Sequence, residues 1–311
     1  MSNLSVLLNG KIGNLFLNFE HHFKNDGITI LYGPNGSGKT TIISALGGFI
    51  NNLETRILFN GNALHNIDKY PPNKRPFGIM FQNPILFEHL SVEENLDFVT
   101  KRNQLNTQNK SLISKEYLIN QLELNSLLKR SPENLSGGEK LRVVIARTIL
   151  KQPNYLLLDE PMSDLDIKYK AKLLVFLKDF NKKFKTPILY ITHSIEEISQ
   201  IGDQIVLIND GKKIDSGSVS NILNRSSFVD LTGKFESSSI LEGRVSRLDQ
   251  NFHITTLDLN GQKLIVPGLP GDLDNIVRVR IRSRDILLST SPLKTKITEN
   301  ELQGLIHMIE I

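Results

Sequence analysis

The sequence predicts an α/β protein built on a parallel sheet, followed by a smaller part made of β-strands. The first indication is an apolar run at 28–32, which leads into a glycine-rich loop and then a helical segment. The second is the continuous apolar run at 155–158, which is typical of a strand buried on both faces of a parallel sheet. The third is a change beyond Ser226 from helical spacing to short alternating stretches.

Length and composition agree with a two-domain globular protein. The chain has 311 residues, and domains usually contain about 100–200 residues each. Its net charge of +4 is mildly basic, but no basic block with interleaved aromatics occurs, so nucleic acid is not the expected partner. The absence of cysteine excludes disulfides, thiolate metal sites and a cysteine nucleophile.

The hydropathy pattern predicts neither a membrane-spanning helix nor a signal peptide. No stretch approaches the roughly 18 consecutive apolar residues that a spanning helix needs. The N-terminus lacks a charged region followed by an apolar one. We therefore expect the chain to reach a membrane only through a protein partner.

The glycine-rich loop fits the phosphate-loop pattern of a glycine, four residues, and then Gly-Lys with Ser or Thr. Its residues are Gly33, Pro34, Asn35, Gly36, Ser37, Gly38, Lys39, Thr40 and Thr41. Such a loop turns backbone N–H groups toward an anion, and the following helix adds a favourable dipole. Lys39 would reach the β- and γ-phosphates, and the Thr40 hydroxyl would ligate Mg²⁺. The alternative is a glycine turn without a ligand, which the flanking strand and helix disfavour.

The stretches on either side of the loop predict further strands. Residues 1–24 alternate apolar and polar side chains, which predicts two strands around the turn signal Asn9-Gly10. Short strands are predicted at 56–59 and 78–81.

Helices are predicted where a capping box or an amphipathic pattern begins. The capping boxes are formed by Ser91 with Glu94 and by Ser136 with Glu139. Leucine and isoleucine spacing at 101–130 predicts a small helical insert, and a longer helix is predicted from about 167 to 184. Residues 204–217 predict a hairpin. The strands predicted beyond Ser226 lie at 241–248, 253–259, 263–266 and 277–288.

Four polar residues at the ends of predicted strands complete a possible chemical site. Asp159 closes the run at 155–158, where a carboxylate can hold Mg²⁺ directly or through water. Glu160 would orient or deprotonate an attacking water. Gln82 could ligate the metal, and His193 could donate to the γ-phosphate or position Glu160. Each residue alone has an ordinary structural alternative, but their order after a phosphate loop predicts nucleotide hydrolysis.

These motifs resemble those of the nucleotide-binding domain of ABC transporters, over roughly residues 1–235. The resemblance rests on the phosphate loop, Gln82, Leu135-Ser136-Gly137-Gly138-Glu139, Leu158-Asp159-Glu160-Pro161, Ser163-Asp164-Leu165-Asp166 and His193. It implies a P-loop NTPase fold with a RecA-like core, an antiparallel β-subdomain and a helical insert. It also implies hydrolysis of ATP with Mg²⁺, and it leaves 236–311 as a β-rich regulatory appendage.

The resemblance further implies a homodimer, because two such domains face each other head to tail in that family. Ser136, Gly137, Gly138 and Glu139 of one copy would complete the site over the phosphate loop of the other. Ser136 and the two glycine N–H groups form a helix start that suits an anion. The sequence does not assign an aromatic residue that stacks on adenine, and Phe16 is a candidate only. The preference for ATP over other nucleotides therefore rests on the resemblance.

The loop after Gln82 carries large apolar residues, Leu86, Phe87 and Leu90. It either packs on its own core or, as in the family, forms with the helical insert a groove for a membrane subunit. A single cassette with a β-rich extension is similar to bacterial importer subunits. The resemblance therefore implies polytopic permease subunits as partners, a substrate-binding protein as an indirect partner, and a peripheral location on the cytoplasmic face of the inner membrane.

Two stretches, 86–92 and 279–286, are most similar to the ATPase subunits of molybdate importers. We therefore expect a subunit that energises uptake of molybdate or a related oxyanion. The alternatives are the same enzyme with sulfate, iron, polyamine or sugar as cargo, and a non-transport ABC ATPase.

The appendage of that subfamily contains an oxyanion-binding barrel, and the sequence from 304 to 311 matches only its beginning. We therefore expect either a fragment or an incomplete barrel. An arginine row alternates with apolar residues in this part of the chain. Its members are Arg278, Arg280, Arg282 and Arg284. A solvated strand face is favoured over an anion site for this row.

Overall fold

The computed structural model describes residues 4–66, 68–83, 85–103, 113–163, 165–223, 225, 227, 228, 231, 238–268, 272–290 and 300–305. The chain divides into two compact units, Met1–Val219 and Ser220–Ile311. The boundary predicted between 235 and 236 falls in a stretch that lies outside the described residues.

In the first unit, ten strands of the described residues form one sheet, in the order β5-β4-β1-β2-β10-β9-β3-β8-β7-β6. The strands are β1 (Leu4–Ile12), β2 (Leu15–Phe23), β3 (Ile28–Tyr32), β4 (Glu54–Phe59), β5 (Asn62–Ala63), β6 (Phe77–Met80), β7 (Tyr155–Asp159), β8 (Ile188–Ile191), β9 (Gln204–Asn209) and β10 (Lys212–Ser218). The sheet confirms the predicted α/β class with an antiparallel subdomain.

The parallel half of this sheet consists of β9, β3, β8, β7 and β6. All residues of β3 and β7 are buried, because helices cover both faces of a doubly wound sheet. The carboxyl ends of β3, β6, β7 and β8 therefore meet at one edge, which is where such folds bind ligands.

The antiparallel half corrects one prediction. Strands β1 and β2 pair along their full length, with Ile12 opposite Leu15, so the chain turns at Gly13-Asn14 and not at Asn9-Gly10. Gly13 has a φ of 56°, which a tight turn needs. Gly10 stays within the strand, where a Cβ atom would lie 3.0 Å from the Leu53 side chain. The predicted hairpin at 204–217 is confirmed as β9 and β10.

The helices are α1 (Lys39–Gly47), α2 (Val92–Asn103), α3 (Lys115–Gln121), α4 (Gly137–Leu150), α5 (Ile167–Phe184), α6 (Ile195–Ile201) and α7 (Val219–Ile222). Helix α5 matches the predicted bounds, and the Asp166 side chain caps it by accepting from Tyr169 N–H. The helical insert contains α3, while 104–112 lies outside the described residues. Among the described helices, none combines the length and apolar character of a membrane-spanning segment.

In the second unit, the described strands form an antiparallel sheet in the order β13-β12-β11-β14. They are β11 (Ser238–Asp249), β12 (Ile254–Leu259), β13 (Gln262–Pro267) and β14 (Ile276–Arg282). Three buried residues form its small core: Val245, Leu257 and Leu264.

Three members of the arginine row lie on β14, and Arg284 comes after the strand. Arg278 pairs with Glu242, and Arg282 pairs with Asp285. These exposed pairs agree with a solvated face. The predicted start of a barrel at 304–311 lies mostly outside the described residues.

Candidate active site

The phosphate loop connects β3 to α1 and has a backbone that requires glycine. Gly36 and Gly38 have φ values of 80° and 104°, which side-chain-bearing residues rarely adopt. At Gly33 a Cβ atom would lie 2.0 Å from the Ile208 carbonyl oxygen. The loop is therefore held close to the neighbouring strand β9, with its concave side formed by backbone.

Lys39 is the buried cation of this loop. Its side chain is 6% exposed, and its Nζ donates to the carbonyl oxygens of Gly33 and Pro34, at 2.8 Å each. Burial lowers the pKa of Lys39, and the nearby carboxylates of Glu160 and Asp159 oppose that shift. The ammonium therefore lies inside the loop, where a phosphate group would be expected.

Asp159 ends β7 and is 1% exposed. Burial raises the pKa of its carboxyl group, whereas a hydrogen bond from the Thr40 hydroxyl and the charge of Lys39 lower it. This hydrogen bond places Thr40 and Asp159, which are both predicted to hold Mg²⁺, in direct contact.

Two buried oxygens suit a hydrated cation or a phosphate. Among the described residues, neither Asp159 Oδ2 nor Ser37 Oγ has a hydrogen-bond partner. Buried polar atoms are normally paired, so these two oxygens are suited to binding a ligand. No cluster of three or more His, Asp or Glu that could hold a metal occurs in the described part of the chain. Mg²⁺ fits this set, because it usually takes one or two protein oxygens with phosphate and water.

Glu160 follows Asp159 and is flanked by the two other predicted residues. Gln82 Nε2 donates to Glu160 Oε2 at 3.2 Å, and His193 Nδ1 lies 3.6 Å from Glu160 Oε1. The backbone of Glu160 is left-handed, with a φ of 46°, and its N–H donates to the Ile191 carbonyl. This conformation is uncommon for a residue other than glycine.

The structure thus brings together the phosphate loop, Gln82, Asp159, Glu160 and His193. It does not join them to the signature residues. Among the hydrogen bonds and ion pairs of the described residues, none connects Ser136, Gly137, Gly138 or Glu139 to that cluster.

The signature residues instead form the predicted capping box at the start of α4. Glu139 Oε2 accepts from Ser136 N–H at 2.8 Å, and Ser136 Oγ accepts from Glu139 N–H at 3.3 Å. The hydrogen bond from Ser136 N–H lowers the pKa of Glu139, and Arg130 adds a smaller contribution. Ser136 and Gly137 are exposed at this helix start.

The loop after Gln82 is partly packed and partly exposed. Leu86 is buried, whereas Ile85 is 75% exposed and Phe87 is 37% exposed. Phe87 contacts Phe98 of α2, with 4.8 Å between the ring centroids.

Sequence reasoning missed the side chains that hold this loop. Asn95 is fully buried on α2, where its Oδ1 accepts from Phe87 N–H and its Nδ2 donates to three loop carbonyl groups. Arg147 of α4 donates to Asn95 Oδ1 and to the Ile85 carbonyl, and it lies 5.0 Å from the Phe87 ring centroid. The available signal was a polar residue, Asn95, on the apolar face of α2.

Comparison with known proteins identifies the family. A family profile described as ABC transporter matches residues 16–163. A curated relative, the Molybdenum import ATP-binding protein ModC of Rhizobium johnstonii, is 35% identical over 85% of this chain and 74% of its own length. This chain belongs to the ABC transporter ATP-binding proteins.

Solved ABC structures have the same fold. One, described as an ATP binding subunit of an ABC transporter, has a TM-score of 0.61 and 25% identity, and covers 74% of this chain and 99% of its own. Another is the dimeric post-hydrolysis state of the ATP-binding cassette MJ0796 with ADP and Pi. It has a TM-score of 0.59 and 23% identity, and covers 70% of this chain and 99% of its own. The ABC fold explains the mixed sheet of the first unit.

Replacing Asp159 with Asn is expected to stabilise the nucleotide-free protein by about 1 kcal/mol, because the amide removes a buried charge. Burial raises the pKa of Asp159 in the folded state, so the wild type loses stability as the pH rises through that pKa. The gain should therefore be largest at neutral pH and should vanish in acid. Thermal unfolding across this pH range measures it.

The matched control is Asp166→Asn, since Asp166 is an exposed helix cap that Asn replaces equally well. The control should show no gain. Equal melting temperatures for wild type and Asp159→Asn at neutral pH would contradict the prediction. The same variant should also lose the Mg²⁺-dependent part of its nucleotide affinity, measured by titration with and without a chelator.

Proposed function

We propose that this chain is the ATP-hydrolysing subunit of an importer that takes up molybdate or a related oxyanion. The observation that supports hydrolysis is the position of Glu160 between Gln82 and His193, beside the phosphate loop. Support for the cargo comes from the ModC relative, whose name states molybdenum import.

Nucleotide binding would use the phosphate loop and its buried lysine. Lys39 Nζ would exchange the carbonyl oxygens of Gly33 and Pro34 for the β- and γ-phosphate oxygens. Thr40, Asp159 and Gln82 would hold Mg²⁺, which neutralises phosphate charge when bound. Gln82 would do so through its amide oxygen, since it is the amide nitrogen that donates to Glu160.

Hydrolysis would depend mainly on positioning by the chain's own side chains. The Glu160 carboxylate would orient the attacking water and accept its proton. His193, at 3.6 Å from that carboxylate, would hold Glu160 or donate to the γ-phosphate. The left-handed backbone at Glu160, tied to the Ile191 carbonyl, would keep the carboxylate directed at the site.

A second copy of the chain would complete the site. The first four N–H groups of a helix lack partners within it. At α4 the capping box uses the N–H groups of Ser136 and Glu139. Gly137 and Gly138 therefore keep N–H groups for an anion, and the exposed helix start suits a nucleotide bound to the partner copy. The dimeric arrangement of MJ0796 supports this proposal.

The exposed part of the loop after Gln82 would receive a membrane subunit. Asn95 and Arg147 fix the backbone, while Ile85 and Phe87 remain accessible. An apolar surface on a rigid support suits a partner helix. This contact would hold the chain at the cytoplasmic face of the inner membrane.

Glu160→Gln should bind ATP with Mg²⁺ and lower kcat by about 10²–10⁴-fold, because the amide cannot accept the proton of water. ATP should then drive the variant into a stable dimer, seen by size-exclusion chromatography. Glu196→Gln, an exposed change on α6, serves as the control and should hydrolyse ATP normally. Near-normal turnover by Glu160→Gln would remove Glu160 from its proposed role.

Ser136→Arg should leave nucleotide binding by the monomer intact but block ATP-driven dimerisation, because the bulky cation would occupy the entry for the partner's phosphate. Equilibrium titration measures nucleotide binding by the monomer. Light scattering of the Ser136→Arg, Glu160→Gln double variant measures ATP-driven dimerisation. Ser131→Arg, at the start of a preceding turn, is the control. Loss of binding by the monomeric variant would contradict assignment of Ser136 to the partner's site.

The cargo is tested by reconstituting the complete importer with its permease and binding protein. Molybdate or tungstate should stimulate ATP hydrolysis, and sulfate should do so less. Stimulation by sulfate alone would favour another cargo. Copurification with ribosomes or DNA instead of a polytopic membrane protein would favour a non-transport ABC ATPase.

A further inference from the structure

A buried carboxylate lies behind the histidine of the candidate site. Glu197 of α6 is 7% exposed, and its Oε2 accepts from two hydroxyl groups. These are Tyr190 Oη at 2.8 Å and Thr192 Oγ1 at 2.7 Å. Both donors are neutral hydroxyl groups, and hydrogen bonds accepted by a carboxylate are charge-assisted.

The same network continues to both sides of His193. Thr192 Oγ1 accepts from Ser194 N–H at 3.0 Å while its own proton goes to Glu197. Ser194 Oγ in turn accepts from Glu197 N–H at 3.3 Å. The residues before and after His193 are therefore both tied to Glu197, directly or through one hydroxyl.

This pattern departs from an ordinary capping box. In such a box the acidic side chain at the third helical position accepts from the N–H of the cap residue. Here the Thr192 hydroxyl stands between the Glu197 carboxylate and Ser194 N–H. Because Thr192 directly follows β8, this bridge connects the helix cap to the sheet. Tyr190 of β8 donates a second hydrogen bond to Glu197.

His193 itself has little other support. Its side chain is 67% exposed, and it lies 3.6 Å from Glu160. An exposed imidazole depends on its backbone for direction, because few packing contacts restrict it. Small displacements at a reacting group cost rate, up to about 10²-fold for 1 Å.

We propose that Glu197 is a positioning residue for ATP hydrolysis, which fixes the backbone on both sides of His193 through Thr192 and Ser194. This inference rests on the proposed ATPase function and on the role of His193 in it. Glu197 touches neither nucleotide nor water in this role, and acts only through the histidine.

The experiment compares Glu197→Ala in the wild-type and His193→Ala backgrounds by steady-state ATP hydrolysis. In the wild type, Glu197→Ala should lower kcat by about 10–100-fold with little change in KM. In the His193→Ala background the same change should cost less than about twofold, because residues that act through one group are not additive. Glu197→Gln should retain most of the activity, since its amide oxygen can accept both hydroxyl protons.

Controls separate positioning from general destabilisation. Glu196→Ala, on the exposed side of the same helix, should leave kcat unchanged. Thr192→Val keeps the shape of the side chain but removes the bridging hydroxyl, so it should also lower kcat. It provides the test if Glu197→Ala does not fold. Melting temperature and ATP affinity are measured for every variant.

Three outcomes would overturn the inference. The first is an unchanged kcat in folded Glu197→Ala. The second is the same fold-loss in both backgrounds, which indicates a structural role only. The third is full turnover by His193→Ala, which removes the role of His193 while leaving the ATPase proposal intact. Absence of ATP hydrolysis by the wild type would instead contradict the proposed function itself.

Discussion

The carboxyl ends of parallel strands meet at one edge of a sheet, and this constraint places the whole candidate active site. Strands β3, β6, β7 and β8 end at that edge. The phosphate loop and each predicted catalytic residue follow one of those ends by one to a few positions. The apolar residues that bury the strands therefore also determine where chemistry can occur.

The same edge holds opposite charges away from water. Burial opposes the charged forms of both Lys39 and Asp159, and each charge partly offsets the cost of the other. A buried pair of this kind contributes little to stability by itself. For Asp159 burial outweighs the attraction of Lys39, so the net shift raises the pKa of its carboxyl group. A bound phosphate would pair with the charge of Lys39, and a bound cation would pair with the charge of Asp159. The arrangement therefore suits a nucleotide with its metal ion.

Most of the fold could be predicted from sequence because its signals are local. The glycine loop, the capping box at Ser136 and the helix at 167–184 each depend on neighbouring residues, and the structure contains all three. The turn predicted at Asn9-Gly10 was wrong, because pairing of β1 with β2 continues to Ile12, beyond a weak local signal.

The candidate site was predicted as a set of residues but not as a set of contacts. Strand-end position alone identifies Gln82, Glu160 and His193. Their mutual contacts depend on side chains that follow three different strands, and sequence spacing carries no information about those contacts. The support by Glu197 and Arg147 was missed for the same reason, since each residue has its partners on another element or loop.

The position of Arg147 has a consequence for the affinities of the two surfaces that it connects. It stands on the helix whose first turn carries Ser136, and it bonds the loop that exposes Ile85 and Phe87. The two surfaces therefore share one rigid connection. Where binding at the loop changes the affinity at the helix start, linkage requires the reverse effect to have the same factor.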